Sequence, residues 1–243
     1  MTLLVPFNAA RDHTARMTAN PTPLSIEVKG GLRVSALIQL PPNARACFVL
    51  GHGAGAGMAH AFMTDLANAL EARQIGTLRY NFPYMESGSK RPDPPALCHA
   101  TVRAATEEAR KHVPGVTLIA GGKSFGGRMT SQAQAAKSLT DVRGLAFVGF
   151  PLHPAKKPSI ERATHLSDVK IPMLFLQGTR DDLADLTLLE PIVKQLGASA
   201  ALKRIEGADH SFHVLARSGR NDREVMAELA DTIATWAGEL QAR

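Results

Sequence analysis

Three short stretches of this sequence carry residue types suited to nucleophilic catalysis, and they occur in one order. The first is Gly122-Lys123-Ser124-Phe125-Gly126, a G-x-S-x-G pattern. It follows Val116-Thr117-Leu118-Ile119-Ala120, which is β-branched at three of its first four positions and reads as a buried strand. Behind it, residues 128–137 are rich in helix formers. A serine at such a strand-to-helix turn takes a strained backbone conformation. The residues two before and two after it must then be small, and Gly122 and Gly126 meet that need. The hydroxyl would stand above the sheet, beside N–H groups that open a helix and favour negative charge. A glycine-rich turn without chemistry is the plainer alternative. A phosphate loop ending in Gly-Lys-Ser fails, because that pattern needs glycine at position 117 and Thr117 stands there.

A serine needs a base, and the base needs a carboxylate to orient it. An apolar strand over 173–177 runs into Gly178-Thr179-Arg180-Asp181-Asp182, and one over 201–205 runs into Glu206-Gly207-Ala208-Asp209-His210-Ser211-Phe212-His213. Both loops fall at the carboxyl ends of strands, where parallel sheets gather their sites, and in the chain order serine, acid, histidine. Asp181 is the preferred acid. Asp182 and Asp185 remain alternatives, each competing with a role as helix N-cap ahead of Leu186. His210 is preferred as base over His213, which fits better as packing or on the following helix. A metal reading of the two histidines lacks a second ligand cluster. No metal and no cofactor is expected.

Acyl chemistry also needs donors for the oxyanion. One is the backbone N–H of Phe125. The other is assigned to Ala54, with Gly53 or Gly55 as alternatives, in the loop Gly51-His52-Gly53-Ala54-Gly55-Ala56-Gly57 after a strand over 46–50. That loop lacks a dinucleotide fingerprint, since Met58 stands at its third glycine position. His52 is expected to brace it. Arg79, Lys123 and Arg128 lie at or near the same sheet edge and are candidates for binding an acidic acyl group. The competing reading has Lys123 paired with a surface carboxylate and Arg128 bracing the elbow helix.

The elements that must position these groups alternate. A hairpin (24–28 and 32–40, turned at Gly30-Gly31) precedes strands at 46–50, 77–82, 116–120, 145–150, 173–177 and 201–205. Helices are expected over 59–73, 97–112, 186–196 and 223–240, with Phe62, Leu66, Ala69 and Leu70 on one face of the first. This is an α/β chain: a mostly parallel sheet with an antiparallel N-terminal hairpin and helices on both faces. Residues 1–23 read as a flexible N-terminal arm and 24–243 as one domain. The stretch 151–171, with a short helix near 159–164, is too short for a lid domain.

Composition narrows the partners. The 243 residues are 44% hydrophobic and 21% charged, ordinary for a soluble domain. A net charge of +6 is spread along the chain without basic runs, and one Trp, two Tyr and nine Phe offer few stacking rings, so nucleic acid is not expected. No apolar run is long enough for a membrane span, and residues 1–7 are too short for a secretory core. Cys47 and Cys98 fall in an expected strand and helix and read as core residues of a reducing compartment. A cytoplasmic monomer or homodimer is expected.

Gly121-Gly122-Lys123-Ser124-Phe125-Gly126-Gly127-Arg128, the Gly51–Gly55 loop and Arg79-Tyr80-Asn81-Phe82-Pro83-Tyr84 resemble a branch of the α/β-hydrolases. That branch is similar to dienelactone hydrolases and includes the testis-expressed and non-specific-lethal-complex regulatory subunits of animals. The resemblance covers 24 to the C-terminus. It implies the α/β-hydrolase fold and a Ser–Asp–His triad, with Ser124 where dienelactone hydrolases use a cysteine. The expected function is hydrolysis of a small ester or thioester through an acyl-enzyme. The rival is a catalytically silent hydrolase-like scaffold that binds a protein partner. A peptidase would show a larger cap or a propeller, and transfer to an acceptor other than water stays open.

Overall fold

In a computed structural model, the structure describes residues 20–242, and the expected arm lies outside them as far as residue 19. The chain forms β1 (Thr22–Glu27), β2 (Arg33–Gln39), β3 (Ala46–Gly51), α1 (Ala61–Glu71), β4 (Ile75–Tyr80), α2 (Pro83–Glu86) and α3 (Pro95–His112). It continues with β5 (Thr117–Lys123), α4 (Phe125–Ala136), β6 (Val142–Val148), β7 (Met173–Gly178), α5 (Leu186–Leu196), β8 (Ala200–Ile205) and α6 (Asp222–Gln241). One eight-stranded sheet has the order β1-β2-β4-β3-β5-β6-β7-β8. β1 and β2 pair antiparallel, as do β2 and β4, and every other pair is parallel.

Burial along each strand follows its place in the sheet. β3, β4 and β7 are buried at all six positions, whereas the edge strands β1 and β8 keep exposed residues throughout. Central parallel strands have helices on both faces, so they are apolar without alternation. Cys47 and Val49 face a core shared with Cys98, Val102 and Ala105 of α3 and Met129 of α4. Phe48 and Leu50 face the other core, with Leu66 of α1 and Leu229 and Ile233 of α6. Cys47 and Cys98 are buried and unpaired, and burial pushes each thiol up to about 12.

Several element bounds differ from the expected ones. The hairpin begins at Thr22, inside the expected arm. The connection after β4 holds the short helix α2, which Asp93 fastens by accepting the Tyr84 N–H at 2.8 Å. Residues 161–168 form a 3-10 helix that packs against α4 in place of the short helix near 159–164. After β3 the chain crosses to β4 on one side and later returns as β5 on the other. The ends of β3 and β5 are thus the switch point where doubly wound sheets open a crevice.

Candidate active site

The elbow is built from backbone that cannot be moved apart. Ser124 sits between β5 and α4 at φ 49° and ψ −112°, a left-handed conformation costing about 1–3 kcal/mol, and its N–H is tied to Val148 O at 3.1 Å. Gly122 and Gly126 press on the same residue, Gly51 at the end of β3. A Cβ at either position would run into the Gly51 carbonyl oxygen. Gly121 meets the carbonyl of Ala146 in β6 in the same way. Backbone-to-backbone contact on both sides therefore fixes where Ser124 stands.

The other two loops are held by hydrogen bonds. His210 Nε2 lies 2.8 Å from Ser124 Oγ, and His210 Nδ1 lies 2.7 Å from Asp181 Oδ2. With Nδ1 protonated, Nε2 is free to accept the serine proton. Asp181 has no exposed side-chain area; it accepts from Gln177 Nε2 at 2.5 Å and from the Leu183 N–H at 2.8 Å. The acid and base loops are stitched together: Thr179 N–H donates to Ile205 O, Arg180 N–H to Ala208 O, and Gly207 N–H to Thr179 Oγ1. Asp209 closes the turn under His210 by accepting the N–H groups of Ser211 and His213 at 2.8 and 3.0 Å. Asp182 is exposed, Asp185 is the N-cap of α5, and His213 bonds Asp222 at the start of α6. None of the three joins the cluster.

The loop after β3 faces the elbow. A Cβ on Gly53 would meet Lys123 Cγ at 3.6 Å and Ser124 Cβ at 3.9 Å. Fully buried His52 braces this loop: its Nδ1 lies 2.7 Å from Gly53 O, and its Nε2 accepts the Phe82 N–H at 3.1 Å. Burial pulls its pKa below the ordinary range, so the ring stays neutral. Tyr84 Oη accepts the Gly55 N–H at 3.1 Å. The Ala54 N–H has no acceptor among the described residues, and that of Phe125, first in α4, has none within its helix.

The three basic candidates separate. Arg79 is not at the site. It is 1% exposed, pointing beneath α1, where Nη1 donates to Thr64 Oγ1 at 2.9 Å and to Met58 O, and Nη2 reaches Gln39 Oε1. Lys123 lines the cleft beside Ser124, but its Nζ donates to His210 O at 2.6 Å and lies over the rings of Phe62 and Phe212 at 5.8 and 5.4 Å. It pairs with no carboxylate among the described residues. Burial pushes its pKa down to about 8, against the pull of Asp181 and Asp209. Arg128 lies over the Phe125 ring at 5.8 Å. Ser124 and His210 open on a cleft of about 1180 Å³ walled by Ala54, Phe62, Leu183 and Phe212.

Sequence reasoning passed over Gln177 and Lys123's bond to the base loop. Gln177 had a signal, a polar residue ending an otherwise apolar strand; the Lys123 contact spans 87 positions and left none.

A family model for an alpha/beta hydrolase domain matches residues 44–238. The chain belongs to the alpha/beta hydrolase family. Its fold is shared by a lidless α/β serine hydrolase from Xanthomonas campestris (22% identity, 89% of this chain and 95% of that one, TM-score 0.68). An α/β serine hydrolase homologue from Coxiella burnetii is similar at 20% identity, over 87% of this chain and 96% of that one, with TM-score 0.70. So is a dienelactone hydrolase from Anabaena variabilis, at 19% identity over 90% and 97%, with TM-score 0.68. Among the described residues no helix is long and apolar enough to cross a membrane.

Proposed function

We propose that this alpha/beta hydrolase cleaves a small ester or thioester through a covalent acyl-enzyme on Ser124. The carrying observation is the unbroken chain Ser124 Oγ–His210 Nε2 (2.8 Å) and His210 Nδ1–Asp181 Oδ2 (2.7 Å). Ser124 Oγ attacks the carbonyl carbon while its proton passes to His210 Nε2. The imidazolium so formed is stabilised by the dry Asp181 carboxylate, and the oxyanion is received by the Ala54 and Phe125 N–H groups. Collapse expels the alcohol or thiol, which takes the proton from Nε2. Water then attacks the acyl group with His210 again as base, releasing the acid and restoring Ser124.

Rapid mixing with p-nitrophenyl acetate and butyrate tests the reading. A burst of nitrophenolate equal to the enzyme present, with acylated Ser124 in the peptide map, is the expected result. Absence of both burst and turnover with every short ester overturns it and favours the partner-binding scaffold.

A further inference from the structure

One wall of the elbow carries basic groups that the triad does not use. Arg128 lies on α4 one turn beyond Ser124, and helical side chains lean toward the N-terminus, so its guanidinium reaches back toward the elbow. It covers the ring of Phe125, whose N–H is the assigned oxyanion donor. The 3-10 helix Glu161–Asp168 packs against α4, where Ser131 Oγ and His165 Nε2 lie 2.8 Å apart, and carries Arg162 one turn before His165; His99 of α3 reaches Gln132 of α4 at 3.3 Å.

Among the described residues neither arginine joins an ion pair. Arg128 Nε is buried with no hydrogen-bond partner among the described residues, and its side chain joins no ion pair there. Arg162 makes a single 3.4 Å contact, from Nη1 to Pro151 O, just beyond the end of β6. A bracing arginine would spend its donors on carbonyls, as Arg103 does on those of Ala133, Lys137 and Ser138. Arg128 spends none. Their field registers on the neighbours. The pKa of His165 falls to about 4 through burial, then through Arg128 and His99, with Asp168 pulling weakly the other way. That of His99 also falls, through burial first, then Arg103 and Arg128 against its Gln132 bond.

Two guanidiniums on elements packed against each other, one with no donor spent and the other with one, fit an oxyanion, carboxylate or phosphate, which would supply the missing negative charge. We propose that Arg128 and Arg162 form an anion subsite beside the elbow, so that the ester substrate carries a carboxylate or phosphate at the end away from Ser124. This rests on Ser124 being the nucleophile. It moves the anion-binding role from Arg79, which is buried beneath α1, and Lys123, which bonds His210 O, to Arg162, which no motif singled out.

The test compares kcat/KM for mono-p-nitrophenyl glutarate with that for uncharged p-nitrophenyl butyrate at low ionic strength. The wild type should prefer the charged ester by about tenfold or more. Arg128→Gln and Arg162→Gln should each remove most of that preference, and Arg128→Lys should keep part of it. Arg162→Gln loses only one long hydrogen bond, so its fold is not at risk. No preference in the wild type, or one that survives both substitutions, overturns the proposal. Inhibition by glutarate against inorganic phosphate distinguishes the two anions, the stronger competitor naming the class. Titration of Ser124→Ala separates the subsite from the hydrolase reading. If His165 gains affinity for its proton on adding phosphate or glutarate, and Arg128→Gln abolishes the effect, the subsite stands even where no ester is turned over. If neither anion shifts His165, it falls.

Discussion

The two flanks of the cleft hold Ser124 and His210 by different means. On the elbow side, Ser124 is fixed by backbones in contact, with Gly121, Gly122 and Gly126 each lying against a carbonyl of a neighbouring strand. On the base side, His210 rides a loop kept in place by separable hydrogen bonds from Asp181, Asp209 and Lys123. Close packing has no intermediate state: a single methyl either fits or displaces a strand. A set of hydrogen bonds yields one member at a time. The nucleophile should therefore fail all at once under substitution, and the base by degrees.

The largest effect is expected on the packed side. Gly126→Ala drives a methyl into the Gly51 carbonyl and should cost about 3 kcal/mol or more, lowering Tm by roughly 6–12 °C and abolishing turnover. A Gly126→Ala protein with wild-type melting and activity would break the comparison. Next comes Asp181→Asn, which keeps the shape but not the charge that favours the imidazolium. It should lose kcat by roughly a thousand- to ten-thousandfold while still melting cooperatively. Smaller still, Lys123→Met leaves His210 O without its donor and should lower kcat/KM about ten- to a hundredfold.

The Lys123 substitution also carries a pH signature. The ammonium, held at about 8 instead of its ordinary 10.5, is charged below pH 8 and neutral above it. Wild-type kcat/KM should decline above pH 8, and Lys123→Met should show no such limb. Stability runs the opposite way. Between about 8 and 10.5 the unfolded chain binds this proton more tightly, so Lys123's contribution to stability rises with pH over that window. An alkaline loss of activity without loss of structure sharpens the case for Lys123 as a positioning residue. A limb unchanged in Lys123→Met removes it.

The alternation of strands and helices was legible because central strands are apolar throughout and their loops are bounded by glycine and proline. Element ends were less so. β5 runs through Gly121-Gly122 to Lys123, and β4 begins at Ile75-Gly76, because these glycines pair as strand residues where glycine in sequence signals a turn. Ser124, Asp181 and His210, which lie in one hydrogen-bonded cluster, were singled out from loop order and from spacing within each loop. The basic residues could not be placed that way: Arg79, polar within a buried strand, looks functional until its three acceptors are seen, and Arg162 acquires meaning only because its 3-10 helix packs against α4. Such roles depend on neighbours distant in the chain, which spacing does not encode.

The most direct measurement is the intact mass of the protein after exposure to a fluorophosphonate, for wild type, Ser124→Ala and His210→Ala side by side. The account predicts one covalent phosphonyl adduct on Ser124 of the wild type, none on Ser124→Ala, and labelling slowed by at least a hundredfold in His210→Ala. A folded wild type that remains unmodified, or one labelled at equal rate without His210, would contradict it.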